Sequence, residues 1–212
     1  MADLRIPIIT HIHELAFWIN QAGDLNLRQV ESASNHIICA SNAVKNYLQS
    51  RQMFENTPIE TIYEHVNVNE LRVTSDRKSL KEKLGLPANA FLVGASGAEL
   101  WRKGKNWFIP IALQTFNLAP DKPIHFIWIG GALTYELEYD LIKSGLTDRV
   151  HFIPHLPQAN KYFHEFDVFL MLSREDPFPV VSLEAAALGV PIICFQNAGG
   201  TQEWLSHGGD LS

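Results

Sequence analysis

Short apolar runs alternate with polar segments along most of the chain, and the alternation is most regular from residue 91 onwards. Five apolar runs have the length and composition of buried strands, and the segments between them have helical character. The strands are 91–95, 125–129, 150–153, 168–172 and 192–195, and the helices between them are 105–116, 136–144, 158–163 and 181–188. This order predicts an α/β fold with a parallel sheet covered by helices on both faces.

The N-terminal part of the chain shows the same alternation in a less complete form. Strands are predicted at 6–10, 36–40 and 59–63, with helices at 26–34 and after the capping residue Ser41. The segment 70–80 is polar, and Ser79 caps a short helix after it. We therefore predict two domains, with residues 1–72 in the first and residues 73–212 in the second.

Composition excludes several classes of protein. The chain has 212 residues, of which 46% are hydrophobic and 19% charged, and these fractions are typical of a soluble enzyme. A formal charge of −6 argues against general nucleic-acid binding. No apolar run approaches the roughly 20 residues of a membrane span, and the N-terminus lacks the apolar core of a signal peptide. Cys39 and Cys194 lie in apolar runs, where free buried thiols are expected, so we predict a cytoplasmic protein.

Two acids mark the segment that follows the strand 168–172. Asp176 lies in a loop with Phe178 and Pro179, and Glu184 lies eight positions later on a short alanine-rich helix. Ligands of parallel α/β sheets bind at the carboxyl ends of the strands, near helix N-termini. Two acids at the start of a helix can also simply complement its dipole. In the first interpretation, both carboxylates reach one elongated ligand.

A second candidate loop follows the strand 91–95. Small residues such as Gly97 let the backbone approach a ligand, and Arg102 and Lys103 follow at the expected start of the next helix. Cations at a helix N-terminus oppose the helix dipole, so they indicate a bound anion such as a nucleotide diphosphate. The alternative is a solvated pair of surface cations.

His11 and His13 come directly after the first predicted strand. In an extended chain the two rings share one face, as in many metal sites. No third ligand is evident nearby in the sequence, so we predict no metal here. Titratable groups at the end of a strand remain a site candidate.

The acidic segment resembles that of the family 4 retaining glycosyltransferases, which have the two-domain GT-B fold. The family pattern is Glu, seven residues, Glu, with Gly-Phe-Pro after the first acid. Asp176 and Glu184 occupy the two acidic positions, with Asp in place of the first Glu and Pro177 in place of Gly. The resemblance implies that Asp176 contacts the donor sugar and that Glu184 holds the ribose.

Other segments extend the resemblance over most of the chain. Arg102-Lys103-Gly104 resembles the phosphate-binding Lys-Gly motif, and His13 occupies the position of a histidine beside the donor site. The resemblance thus implies catalytic roles for His13, Lys103 and Asp176. The donor-binding residues that it implies are Gly97, Arg102, Lys103, His155, Asp176, Phe178, Pro179, Glu184, Gly199, Gly200 and Glu203.

The resemblance implies a Rossmann-like donor domain at 73–212 and the later part of an acceptor domain at 1–72. The activity implied is transfer of a sugar from a nucleotide-sugar to a carbohydrate, lipid-linked or small-molecule acceptor, with retention and without cofactor or metal. Both domains would be incomplete, which predicts a fragment, an open apolar edge and dimerisation.

The intact enzyme would be cytoplasmic or peripheral to the inner membrane. The alternative is a noncatalytic nucleotide- or sugar-binding module, or a regulatory partner of a complete transferase. A dehydrogenase is excluded because Gly94 and Gly97 do not complete Gly-x-Gly-x-x-Gly.

Overall fold

The computed structural model describes residues 6–71 and 78–208. The domain boundary predicted at residue 72 and the C-terminal residues 209–212 lie outside the described residues. The strands are β1 Ile9–Ile12, β2 His36–Cys39, β3 Ile59–Thr61, β4 Phe91–Ser96, β5 Ile124–Ile129, β6 Val150–Ile153, β7 Val168–Met171 and β8 Ile192–Cys194. The α-helices are α1 Ala16–Ala22, α2 Asp24–Ala33, α3 Asn42–Ser50, α4 Leu80–Leu84, α5 Phe108–Leu118, α6 Tyr135–Lys143, α7 Val180–Ala187 and α8 Gly200–Ser206.

The described chain forms two compact units. The first unit contains residues 6–65, 175–179 and 196–208, and the second contains residues 66–71, 78–174 and 180–195. The segments 175–179 and 196–208 thus pack with the N-terminal unit, although the sequence analysis placed them in the C-terminal domain. The division into domains at residue 72 stays a prediction.

The first unit is built on a parallel three-stranded sheet in the order β1-β2-β3. Ile37 and Cys39 of β2 are fully buried against Val44 and Leu48 of α3. Ser41 caps α3 as predicted, because its side chain accepts a hydrogen bond of 3.3 Å from the backbone N–H of Val44. Burial also raises the pKa of the Cys39 thiol to about 11, which makes the free cysteine unreactive.

The second unit is a parallel five-stranded sheet in the order β6-β5-β4-β7-β8. Alternate residues of β5 enter two separate cores: Phe126 and Trp128 pack with α5, and Ile127 packs in the core that contains Ala185 of α7. The prediction of a parallel sheet with both faces covered is therefore confirmed. The strand order reverses between β4 and β7, and the carboxyl ends of strands at such a point are where ligands of this fold bind.

Two predicted elements have different bounds in the structure. The first strand is Ile9–Ile12 rather than 6–10, so His11 lies within the strand and His13 directly follows it. The helix predicted from residue 105 begins at Phe108 after a 3₁₀ turn, Lys105–Trp107. Pro110 explains the late start, because proline fits only the first turn of an α-helix, where its missing N–H is not needed.

Candidate functional site

The loop that contains Asp176 is held by backbone hydrogen bonds to the segment before α8. The N–H of Asp176 donates to the carbonyl of Ala198 at 2.7 Å, and the N–H of Gly200 donates to the carbonyls of Asp176 and Pro177 at 3.2 and 3.0 Å. Asp176 is 6% exposed, and Pro177, Phe178 and Pro179 are buried with it. The loop is therefore a fixed structure rather than a solvated turn. The Gly200 N–H, expected to contact a donor oxygen, is engaged within this structure.

Gly199 and Gly200 permit this close approach. Gly199 has φ +121° and ψ −147°, a conformation essentially restricted to glycine, and a Cβ there would lie 1.9 Å from the carbonyl oxygen of Asp176. A Cβ on Gly200 would lie 2.3 Å from Cδ2 of Phe178. The glycine pair therefore shapes the acidic loop, whatever ligand the loop contacts.

Two other acids of the first unit satisfy the N-termini of helices. The carboxylate of Glu175 accepts a hydrogen bond of 2.8 Å from the backbone N–H of Phe17, in the first turn of α1. Glu203 accepts bonds from the N–H groups of Asn42 and Ala43 at 3.0 and 3.1 Å, in the first turn of α3. The sequence analysis gave no role to Glu175.

Glu203 is also bonded to Tyr63, whose hydroxyl donates to its Oε1 at 2.5 Å. Burial and this hydrogen bond raise the pKa of Tyr63 to about 12. Both carboxylate oxygens of Glu203 are thus engaged by protein groups. These contacts favour a structural role, whereas the expected contact of Glu203 with the donor stays a prediction.

Lys103 lies in a loop that packs against the residues at the end of β7. The residues Trp101–Lys103 form a 3₁₀ turn, and Gly104 ends it with φ +71°. A Cβ on Gly104 would lie 1.9 Å from the carbonyl oxygen of Leu172, and the N–H of Arg174 donates to the carbonyl of Arg102 at 2.8 Å. The proposed phosphate loop is therefore held where the strand order reverses.

The position of the cations differs from the one used in the sequence argument. Arg102 and Lys103 end their own short turn, and the helix α5 begins only at Phe108. The cations therefore do not oppose the dipole of α5 in its first turn, and that argument for a bound anion was wrong. The remaining argument is the placement of the loop at the carboxyl ends of β4 and β7.

Arg174, which the sequence analysis did not assign, reinforces the same loop. Its Nη1 donates to the carbonyl of Trp101 at 2.7 Å and to Oδ1 of Asn106 at 3.0 Å. The guanidinium lies 4.8 and 5.1 Å from the ring centroids of Trp101 and Trp107. Tryptophans on both sides of the phosphate motif are the sequence feature that could have indicated a stacked arginine.

Gly97 begins this loop and packs against a buried indole. Its carbonyl accepts a hydrogen bond of 3.2 Å from Nε1 of Trp128, and a Cβ on Gly97 would lie 3.3 Å from the ring. Lys105 supports the other end of the loop, because its buried ammonium bonds to Glu99 at 2.9 Å and to the carbonyl of Ala132 at 2.5 Å. Gly97 therefore keeps the loop close to the sheet.

Glu184 lies on α7 in the second unit and is bonded to Asn160. The side-chain amide of Asn160 donates to Oε1 of Glu184 at 2.6 Å. Burial raises the pKa of Glu184, and the hydrogen bond from Asn160 partly opposes that shift. Asn160 was missed because a single asparagine in the 3₁₀ segment Ala159–Glu165 has no periodic signal.

His13 and His155 are both exposed at the ends of strands. Nδ1 of His13 lies 2.8 Å from Oε1 of Glu64, and its ring centroid lies 3.7 Å from that of His11. Partial burial and the neighbouring His13 lower the pKa of His11. His155 lies in the loop after β6. Their expected roles at the donor stay predictions.

Comparison with known proteins then decides the family. A family model described as glycosyl transferases group 1 matches residues 88–211, which is more than half of the chain. The chain belongs to the group 1 glycosyl transferases. The matched range contains both the phosphate loop and the acidic loop, while the assignment to family 4 stays a prediction.

The chain is also similar to individual known proteins and solved structures. The O-antigen biosynthesis glycosyltransferase WclY of Escherichia coli is 29% identical over 133 residues, which cover 62% of this chain and 36% of that protein. The crystal structure of Anabaena Alr3699/HepE in complex with UDP matches with a TM-score of 0.80 and 25% identity, covering 96% of this chain and 57% of that one. The complex of the same protein with UDP-glucose matches with a TM-score of 0.77 and 26% identity. This match covers 96% of this chain and 57% of that one.

These likenesses confirm the GT-B type of fold predicted from the group 1 resemblance. The chain spans about a third of the length of WclY, since it covers 36% of it. Among the described residues, no helix is both long enough and apolar enough to cross a bilayer.

Proposed function

We propose that this chain carries the nucleotide-sugar site of a glycosyltransferase that transfers a sugar to an acceptor hydroxyl with retention of configuration. The observation that carries the proposal is the fixed phosphate loop within the second unit. The bond from Arg174 to Arg102 and the contact of Gly104 with Leu172 hold this loop at the reversal of strand order. The group 1 family model covers the same residues.

The charges in the second unit suit a nucleotide diphosphate. Arg102 and Lys103 would stabilise the negative charge that develops on the leaving diphosphate, with Arg able to form two parallel hydrogen bonds and Lys acting as a point charge. Glu184 would accept hydrogen bonds from the ribose hydroxyls, since carboxylates of α/β folds commonly bind ribose in this way. These roles need no metal ion, because protein cations supply the positive charge.

The first donor to test is a UDP-sugar. Alr3699/HepE, which matches nearly the whole of this chain at 25–26% identity, has been crystallised with UDP and with UDP-glucose. The similarity supports uracil as the base, while the sugar and acceptor remain to be found by assay. Asp176 and His13 are proposed, from the resemblance alone, to orient the sugar and to assist its departure electrostatically.

Calorimetric titration with UDP, GDP, ADP and dTDP tests the donor site directly. We expect UDP to bind, and we expect Lys103→Ala and Glu184→Gln each to weaken binding by about tenfold, as for loss of one charge-assisted hydrogen bond. Lys122→Ala and Glu138→Gln are matched controls, because both side chains are exposed on the second unit and neither residue belongs to the loop. Equal affinity in all four variants would overturn the assignment of the site.

Turnover distinguishes an enzyme from a binding module. The assay follows release of UDP from UDP-glucose and from other UDP-sugars, with a panel of sugar acceptors and with Asp176→Ala as the inactive control. Product formed by the wild type and lost in the variant supports the transferase. Specific UDP binding without turnover in any acceptor would instead favour the noncatalytic module. The anomeric configuration of the product, read by NMR, tests retention.

A further inference from the structure

We propose that His11, His13 and Glu64 form a binding site for Zn²⁺ in the first unit. The three side chains offer two imidazole nitrogens and one carboxylate oxygen, and these ligand atoms all lie within 4.8 Å of one another. The family resemblance assigns a role to His13 alone and implies no metal. The inference therefore goes beyond the proposed function and does not depend on it.

The strand geometry brings the two histidines together. His11 lies in β1, and His13 is two positions after His11. Both side chains therefore lie on the same face of the extended chain. Their ring centroids are 3.7 Å apart. The sequence analysis rejected a metal because it found no third ligand near this pair in sequence.

The tertiary structure supplies that third ligand from a distant segment. Glu64 follows β3 by three residues, and its Oε1 lies 2.8 Å from Nδ1 of His13. The parallel order β1-β2-β3 directs the carboxyl ends of β1 and β3 to the same edge of the sheet. Glu64 thereby joins the His11–His13 pair although more than fifty positions separate them in sequence.

The donor set matches the chemistry of zinc. Two histidines and one glutamate, with water in the fourth position, form a known type of open tetrahedral zinc site. Bonds of about 2.0–2.2 Å place tetrahedral ligands roughly 3.4 Å apart, so changes of at most about 1.4 Å in the distances between ligand atoms assemble the site. Both histidines are exposed and Glu64 is only half-buried, which lets the side chains rotate. Imidazoles favour zinc over Mg²⁺, which prefers oxygen ligands.

Occupancy of this site would have a consequence for the proposed transferase. A zinc ion bound to His13 would remove that imidazole from any contact with the donor sugar. Zinc would therefore inhibit turnover, and His11→Ala would relieve the inhibition. This consequence depends on the proposed function, whereas zinc binding itself can be measured on a protein with no detectable turnover.

The test is a competition titration of the metal-free full chain against a chromophoric zinc indicator. We expect one Zn²⁺ per chain, with affinity at least about tenfold weaker in His11→Ala, His13→Ala and Glu64→Gln. His36→Ala is the matched control, because His36 faces Glu60 at 3.5 Å but, among the described residues, belongs to no three-ligand group. Circular dichroism of each variant checks that it is folded.

Cobalt provides a second readout that does not rely on affinity. Co²⁺ bound by His11, His13 and Glu64 should give visible absorption bands of a tetrahedral site, and Zn²⁺ should abolish them. An excess of Mg²⁺ should leave them unchanged. The proposal is overturned if folded wild-type protein binds no stoichiometric zinc, or if all three ligand variants keep wild-type affinity.

Discussion

The side-chain amide of Asn160 donates a hydrogen bond of 2.6 Å to Oε1 of Glu184. This bond joins the 3₁₀ segment after β6 to the helix that carries the proposed ribose ligand. It orients one carboxylate oxygen of Glu184. It also stabilises the charged form of a carboxyl group that burial makes less acidic.

Removing the charge of Glu184 should stabilise the protein at neutral pH. Its folded-state pKa is raised by burial, so the folded state binds the proton more tightly than the unfolded chain does. The contribution of Glu184 to the free energy of unfolding is therefore greatest below the ordinary carboxyl pKa. This contribution is lost as the pH rises through the folded-state pKa. We expect Glu184→Gln to be more stable than wild type at pH 7, because the variant buries no charge at this position. The difference should vanish near pH 4, as checked by urea unfolding at both pH values.

Asn160→Ala should shift the titration of Glu184 in a defined direction. Loss of the hydrogen bond removes a contribution that lowers the carboxyl pKa, so the pKa should rise further. Carboxyl ¹³C NMR titration measures it directly, with Asn117→Ala, an exposed position on α5, as the control. An unchanged Glu184 pKa in folded Asn160→Ala would show that the bond does not form in solution.

Gly199→Ala should destabilise the protein more than Gly23→Ala. Both glycines have positive φ, +121° and +79°, but a Cβ on Gly199 would meet the carbonyl of Asp176 at 1.9 Å whereas nothing lies within 4 Å at Gly23. Backbone strain costs about 1–3 kcal/mol at either site, and the clash adds to it only at Gly199. Thermal unfolding of the two variants separates the cost of backbone strain from the cost of the clash. Equal losses of stability in the two variants would contradict the contact of Gly199 with the acidic loop.

Glu203→Gln should lower the stability of the first unit by about 1–3 kcal/mol. An amide nitrogen would then face donors where a carboxylate oxygen now accepts from Asn42, Ala43 or Tyr63. Glu55→Gln, at an exposed position of the same unit, should change stability by no more than about 0.5 kcal/mol. If Glu203 served only to bind the donor, its variant would match the control in urea unfolding and differ only in nucleotide affinity.

Arg174→Lys should weaken UDP binding even though it keeps the positive charge. A lysine cannot stack between Trp101 and Trp107 while also bonding to the Trp101 carbonyl and Asn106, as Arg174 does. We expect a loss of affinity of about three- to tenfold, with a change in tryptophan fluorescence that reports the altered loop. Arg28→Lys, exposed on α2, is the control. Wild-type affinity in Arg174→Lys would show that the stacked arginine does not position the loop.

Local sequence determined the repeating elements of the second unit and several of its boundaries. The apolar runs that predicted strands at 150–153 and 168–172 correspond to β6 and β7, and Ser79 caps α4 in a capping box with Glu82. These features depend on neighbours within a few residues, where strand burial and helix capping act. The acidic motif of Asp176 and Glu184 and the Arg102-Lys103-Gly104 motif were likewise readable, because the residues of each motif are close in sequence.

Tertiary structure alone decided which partners these residues have. Glu64 reaches His13, Glu203 caps α3, Asn160 orients Glu184 and Arg174 holds the phosphate loop. Each of these contacts joins segments separated by a strand or more, so no local periodicity records it. Parallel sheets bring the ends of such segments to one edge, and hydrogen bonding of a carboxylate or guanidinium then depends on three-dimensional distance rather than sequence spacing.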